Sequence, residues 1–247
     1  MKAIILAAGY ATRLHPLTLN QPKPLLKVGD RPIIEHILKK IEKIETIGQV
    51  FIVTNDIFYP HFLEWREGFN SHLDIEIIND RTTSNEDRLG AIGDINFVIK
   101  TQNIQSDLLI VGGDNLFEVE LTDFVHFFKE KGSSSILLND VNCTNLAKLY
   151  GIVSLNENSQ IINFVEKPEE PESTLASTLI YALKKEHLPT VRETIELGQA
   201  DRAGDFIAYL SKKTPVFGKS LNGRWFDIGS IDQLKEAEEF MYQKNGR

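Results

Sequence analysis

Apolar and polar positions repeat with two alternating periods along the first half of the chain. A short apolar run at residues 2–6 reads as a buried strand. Over residues 32–44 the apolar positions Ile33, Ile34, Ile37, Leu38, Ile41 and Ile44 have helical spacing, with Asp30 ahead of them as the expected cap. Residues 50–53 predict a second strand ending in Thr54-Asn55. Residues 57–69 predict a helix whose aromatic face, Phe58, Phe62, Trp65 and Phe69, reads as core packing. Residues 73–78 alternate as a strand does, and residues 79–88 have no period and read as a loop. A helix opening at Gly90 is expected over residues 89–99, then a central strand at 108–111 running into Gly112-Gly113-Asp114-Asn115. Thr122 is the expected cap of a helix bearing Phe124, Phe127 and Phe128, and residues 136–138 form another strand.

Strand and helix in turn predict a parallel sheet covered on both faces. The pattern then changes. Residues 150–155 and 161–165, joined by a turn at 156–159, predict an antiparallel hairpin. A strand at 175–183, helices around 185–198 and 205–212, and a strand at 215–221 follow. Ser230-Ile231-Asp232-Gln233 is a capping box for a terminal helix carrying Leu234, Ala237, Phe240 and Met241. No internal repeat and no low-complexity linker interrupts the chain. The expectation is one domain over residues 1–247, with a nucleotide-binding half at about 1–140 and a mixed acceptor-binding half at about 141–247.

Composition narrows the function. The 247 residues carry a net charge of −8, which argues against a nucleic-acid partner or an anionic membrane surface. A phosphorylated small molecule stays open, because a few local cations suffice for it. Cys143 is the one cysteine, so no internal disulfide can form and a reducing compartment fits. The six histidines are scattered without zinc-site spacing. The first strand is too short for a signal peptide or a membrane span, and the expected location is cytoplasmic. A homo-oligomer is compatible with all of this.

The stretch that carries chemistry is residues 6–26. Ala7-Ala8-Gly9 follows the first strand, and three small residues let a backbone approach a ligand closely. Arg13 can fork onto a phosphate, and Lys23, between Pro22 and Pro24, can supply a point charge. A second signal is Asp114 at a strand end, where open α/β sheets keep their active sites and where a carboxylate can hold Mg²⁺. A simple turn would use the same residues. A third is Asp227 in Gly223-Arg224-Trp225-Phe226-Asp227-Ile228-Gly229, a lone carboxylate among apolar neighbours. Ser230 already fits the helix cap, so Asp227 is free for another role, and Asp114 and Asp227 together could complete one Mg²⁺ site.

Residues 6–14, LAAGYATRL, with Pro22-Lys23-Pro24-Leu25, resemble the signature of the sugar-phosphate nucleotidyltransferases. Ala11 stands where that family usually has a second Gly, and a Cβ there limits positive φ. G-D-N and W-F-D-I-G resemble the two motifs whose aspartates, here Asp114 and Asp227, bind Mg²⁺. Gly151 lies in a Y-G segment, Glu166 and Lys167 in an E-K-P motif, and Gly90 in a loose match to L-G-T-A-G. The resemblance implies a Rossmann-like three-layer α/β fold with a mostly parallel central sheet and a smaller mixed half, in the short form without a C-terminal β-helix.

It also implies roles. Leu6, Ala7, Ala8, Gly9, Tyr10, Ala11, Thr12, Arg13, Lys23 and Gly90 would bind the nucleotide, with Arg13 and Lys23 catalytic on its phosphates. Gly151, Glu166, Lys167, Ser177 and Tyr181 would bind the acceptor. The implied reaction is in-line attack of a sugar-1-phosphate on the α-phosphorus of a nucleoside triphosphate, with Mg²⁺ as cofactor and pyrophosphate leaving. UTP or dTTP is the first expectation for the base, and CTP the second. Leu179, where the family usually has Gly in N-x-G-x-Y, would crowd a hexose if it points inward; strand alternation would instead send it to the core.

Two other functions stay in view. A cytidylyltransferase acting on a non-sugar phosphate such as phosphocholine would use the same chemistry. A non-catalytic nucleotide sensor would be expected to lack one of Arg13, Lys23, Asp114, Lys167 and Asp227, and all are present. A dehydrogenase needs G-x-G-x-x-G opening a helix, and that pattern fails here.

Overall fold

The strand Lys2–Leu6 (β1) has Ala3, Ile4 and Ile5 completely buried, which only a central strand with both faces covered permits. The computed structural model describes residues 1–245. After β1 come β2 (Lys27–Val28), β3 (Arg31–Pro32), α1 (Ile33–Ile41), β4 (Gln49–Thr54), α2 (Tyr59–Gly68), β5 (Asp74–Asn79), α3 (Gly90–Thr101), β6 (Leu108–Gly112), β7 (Asn115–Phe117) and α4 (Leu121–Lys131). The second half adds β8 (Ser135–Asp140), α5 (Thr144–Ala147), β9 (Gly151–Leu155), β10 (Ile161–Glu166), β11 (Leu175–Leu183), α6 (Pro189–Glu196), α7 (Ala203–Lys213), β12 (Phe217–Ser220), β13 (Trp225–Asp227) and α8 (Ile231–Asn245).

A nine-stranded sheet runs β10-β9-β11-β6-β1-β4-β5, with β8 also pairing β11 and β12 pairing β8. The pairings β1–β4, β1–β6, β4–β5 and β8–β12 are parallel, and those of β11 and β10 are antiparallel. Only β11 and β10 therefore run against the rest, and the sheet is mostly parallel. Alternation along each strand builds two cores. Ile5, Ile52, Leu109 and Val111 face α1, α2 and α4, whereas Ile4, Phe51, Val53 and Ile110 face α3 and α7. The result is the three-layer α/β architecture expected.

Local differences have local causes. Helix α1 follows directly on Pro32 with no side-chain cap, and Asp30 is instead paired with Arg31 through two hydrogen bonds. Helix α4 starts one residue before Thr122, with Glu120 at the capping position. The aromatic face of α2 is core, as expected, with Phe58 and Phe62 buried and Trp65 stacked on Phe69. At α8, Ser230 Oγ accepts from Gln233 N, and the Gln233 side chain accepts from Gly229 N. That is a capping box closed one residue early. The short pair β7–β13 had no sequence signal, since neither strand is long enough to show a period.

Candidate active site

The parallel strands end together, and their carboxyl ends carry the chemistry. In order across the sheet these ends lead into Asp114 after β6, the Gly9 loop after β1, and Asp80 after β5. Two clefts open above them. The first, about 340 Å³, is lined by Leu6, Ala7, Ala8, Gly9, Ala11, Thr12, Arg13, Lys23, Gly90 and Asp114 among others. The second, about 680 Å³, is lined by Gly151, Glu166, Lys167, Ser177, Tyr181 and Asp227 among others. Arg13 and Leu179 line both, so the clefts meet there. The nucleotide set and the acceptor set named from the sequence thus fall in adjacent clefts. Tyr10 is the exception: it is absent from the cleft wall, and its hydroxyl donates to Thr82 Oγ1 at 3.0 Å.

Lys23 Nζ donates to Asp114 Oδ2 at 2.6 Å, a pair only partly open to water. Asp227 comes to the same place through the β7–β13 ladder, which sets it opposite Asn115 and lets Ile228 N donate to Asp114 O at 3.2 Å. Burial, and then the charge of Asp114, push the Asp227 carboxyl up to about 6 against the pull of Lys23, Arg13 and Lys167. Among the described residues no group of three or more metal-ligating side chains gathers. Two carboxylates fit Mg²⁺, which takes few protein ligands and completes its shell with substrate phosphates and water.

The backbone around the clefts adopts uncommon conformations. Ala11, Lys167 and Leu179 all lie in the left-handed region, at φ 47°, 49° and 56°. Ala11 therefore adopts positive φ in spite of its Cβ. Leu179 sits in an irregularity of β11, where the register with β8 shifts between Ser177 and Tyr181. Leu179 shares the face of β11 that carries Ser177 and Tyr181, so alternation sends it to the cleft wall, with Ile180 and Ala182 turned to the opposite core. Strain of this kind persists where surrounding structure holds it, often at functional sites.

The second cleft depends on close packing. A Cβ on Gly151 would lie 2.8 Å from Glu166 Oε2, and one on Gly204 would lie 2.4 Å from it, so both glycines make room for that carboxylate. Burial raises the Glu166 carboxyl, and Arg202 and Lys167 offset it. Ser177 Oγ and the Tyr181 hydroxyl share a hydrogen bond of 3.0 Å, and burial raises the Tyr181 phenol. Gly90 has φ 77° and packs against Ala200 and Asp201, whose carbonyls accept from Ala91 N and Ile92 N. The first turn of α3 thus has those two donors engaged within the protein.

The sequence reading missed a buried acid pair in the first cleft. Asp80 and Asp94 are 5% and 6% exposed, line the same cleft and lie close enough for each to act on the other's carboxyl. Asp80 Oδ1 accepts from Thr82 N at 2.7 Å and Thr82 Oγ1 at 2.8 Å. No donor reaches the buried Asp94 Oδ1. Burial, and then the charge of Asp80, push the Asp94 carboxyl up to about 8, so the pair holds one proton at neutral pH. The available signal was an acid at position 94 on the helix face that also carries Ile95 and Val98.

A family model described as nucleotidyl transferase matches residues 2–244. The bifunctional protein GlmU of Methanococcus aeolicus is 34% identical over 243 residues, covering 96% of this chain and 53% of that protein. A UTP–glucose-1-phosphate uridylyltransferase of Synechocystis is 28% identical over 246 residues, covering 96% of this chain and 62% of that one. The chain spans about half the length of the first GlmU relatives it matches. A solved UDP-glucose pyrophosphorylase with bound UDP-glucose has the same fold, with a TM-score of 0.84 at 20% identity and 98% of each chain covered. Among the described residues no helix is long and apolar enough to cross a membrane.

Proposed function

Since the chain belongs to the nucleotidyl transferase family, we propose that it joins a nucleoside triphosphate to a sugar-1-phosphate, releasing pyrophosphate. The observation that carries this reading is the junction of the clefts. Arg13 lines both, Lys23 pairs with Asp114 on the nucleotide side, and Asp227 and Lys167 line the acceptor side. An acceptor phosphate is already a nucleophile, so the site needs no general base, and catalysis reduces to positioning and charge compensation.

In this reading the small residues Ala7, Ala8 and Gly9 let the phosphates lie against the loop backbone. Arg13 holds the leaving phosphates, and Lys23 leans from Asp114 onto the α-phosphate as negative charge moves through it. Lys167 steadies the attacking phosphate, while Glu166 and the Ser177–Tyr181 pair face the sugar. Asp114 and Asp227 would hold Mg²⁺, which supplies charge neutralisation between two anionic substrates. Leu179 narrows the passage between the clefts and restricts which acceptor fits.

The deciding experiment is a matrix of nucleoside triphosphates against sugar-1-phosphates, phosphocholine and other monophosphates. Pyrophosphate release is read with Mg²⁺ and with excess chelator. Turnover of a sugar-1-phosphate, lost in chelator, is expected. Turnover confined to non-sugar phosphates would replace the acceptor assignment, and nucleotide binding without turnover in any combination would make the protein a sensor.

A further inference from the structure

The far end of the nucleotide cleft carries chemistry that phosphate transfer does not use. Arg13, Lys23 and Asp114 lie over β1 and β6, whereas Asp80 follows β5, two strands beyond β1. Strands are spaced by about 4.8 Å, so that end lies on the order of 10 Å from the phosphate loop, the reach of a nucleoside. A hydrogen-bonded chain ties the two ends together: Tyr10 donates to Thr82, and Thr82 donates to Asp80.

Charge decides which part of a nucleotide goes where. The charged groups facing the far end are Asp80, Asp94, Arg88 and Asp201. Arg88 forks onto Asp201 through two bonds of 3.1 Å, so its charge is matched. The excess is negative, and phosphates cannot settle there. The base must.

We infer that the Asp80–Asp94 pair selects a nucleobase bearing an exocyclic amino group over uracil and thymine. This rests on the nucleotidyltransferase reading of the cleft. Thr82 fixes Asp80 as the ionised member by giving two donors to its Oδ1. Asp94 Oδ1 finds no donor, and its neighbour is the Asp80 carboxyl, so the one proton stays between the two acids. Turning that proton outward would set two carboxylates side by side without it. Both acids line the cleft, and with the proton held between them neither has a donor to turn toward a base. Guanine offers N1–H and N2–H₂ to such a surface, and cytosine and adenine offer their amino groups. Uracil and thymine flank a single N–H with two carbonyls, and a carbonyl against a carboxylate sets lone pair against lone pair.

The test compares UTP, dTTP, CTP, GTP and ATP in pyrophosphate release with a fixed sugar-1-phosphate. In parallel, UDP, dTDP, CDP, GDP and ADP are titrated calorimetrically. An amino-bearing base should be preferred by roughly tenfold or more, the scale of one hydrogen bond to a charged group. Asp80→Asn puts an amide N–H₂ where an acceptor stood and should shift the preference by about that factor toward UTP and dTTP. Asp94→Asn keeps a donor between the two groups and should preserve the wild-type preference. Equal or better use of UTP or dTTP by the wild type overturns the inference while leaving the transferase reading intact. Selective diphosphate binding without turnover overturns the transferase reading and leaves the inference intact. An unchanged base ratio in a folded Asp80→Asn variant also overturns the inference.

Discussion

Replacing Asp94 by Asn should change how stability depends on pH, not merely its level. In the folded protein Asp94 keeps its proton up to about pH 8, because burial and the neighbouring Asp80 charge penalise ionisation. In the unfolded chain an aspartate ionises near pH 4. Between those values the folded state binds a proton that the unfolded state has released, so stability falls as pH rises. The contribution is fully present below about pH 4 and is lost as pH climbs toward 8. The slope is about 1.4 kcal/mol per pH unit, hence roughly 2.7 kcal/mol between pH 5 and pH 7. Asn cannot ionise, and its amide N–H can take the place of the shared proton. Asp80 keeps the upward push of its own burial in both proteins, so its contribution to the slope largely cancels in the comparison. Asp94→Asn should therefore gain on the wild type by about 5–11 °C in Tm between pH 5 and pH 7 in a chain of this size. Thermal melts followed by circular dichroism at several pH values read this directly. A difference in Tm between the two proteins that stays constant from pH 5 to pH 7.5 would refute the shared proton.

Four further outcomes are expected. Asp227→Asn should abolish pyrophosphate release while the melting curve stays cooperative, and near-normal turnover would end the metal assignment. Lys23→Ala should lower kcat by more than it raises KM, since its contact with the α-phosphate strengthens as the reaction proceeds; steady-state kinetics with kcat unchanged would return Lys23 to a structural partner of Asp114. Leu179→Gly relieves a left-handed leucine and opens the wall between the clefts, so kcat/KM for glucose-1-phosphate should rise several-fold, about the effect of removing ~1 kcal/mol of crowding; an unchanged acceptor panel would show that Leu179 does not restrict the pocket. Ala11→Gly should leave stability within about 1 kcal/mol of the wild type or raise it, because Ala11 already sits at positive φ, and a large loss in a urea melt would contradict that conformation.

The parts of this protein legible from residue order were those whose cause is local. Short apolar runs placed the strands around Ile4, Ile52 and Ile110, and helical spacing placed the helices between them. A strand buried on both faces reads as a continuous apolar run wherever it ends up. The residues at the strand ends were legible too, because Gly9, Lys23 and Asp114 sit in motifs whose spacing is short. Capping was legible only where the chain had no better partner. Ser230 caps α8, but Asp30 turns to the adjacent Arg31 instead of α1.

What only the tertiary structure decided lies between distant segments. Asp227 reaches Asp114 through a ladder of three residues on each side, too short to show a pattern. Leu179 shares a face of β11 with Ser177 and Tyr181, but that this face lines the clefts and not a closed core is set by what packs over it. Asp80 and Asp94, one after a strand and one inside a helix, become a proton-sharing pair because β5 and α3 bury them side by side. A carboxyl group's charge depends on its surroundings, and those are assembled only when the chain folds.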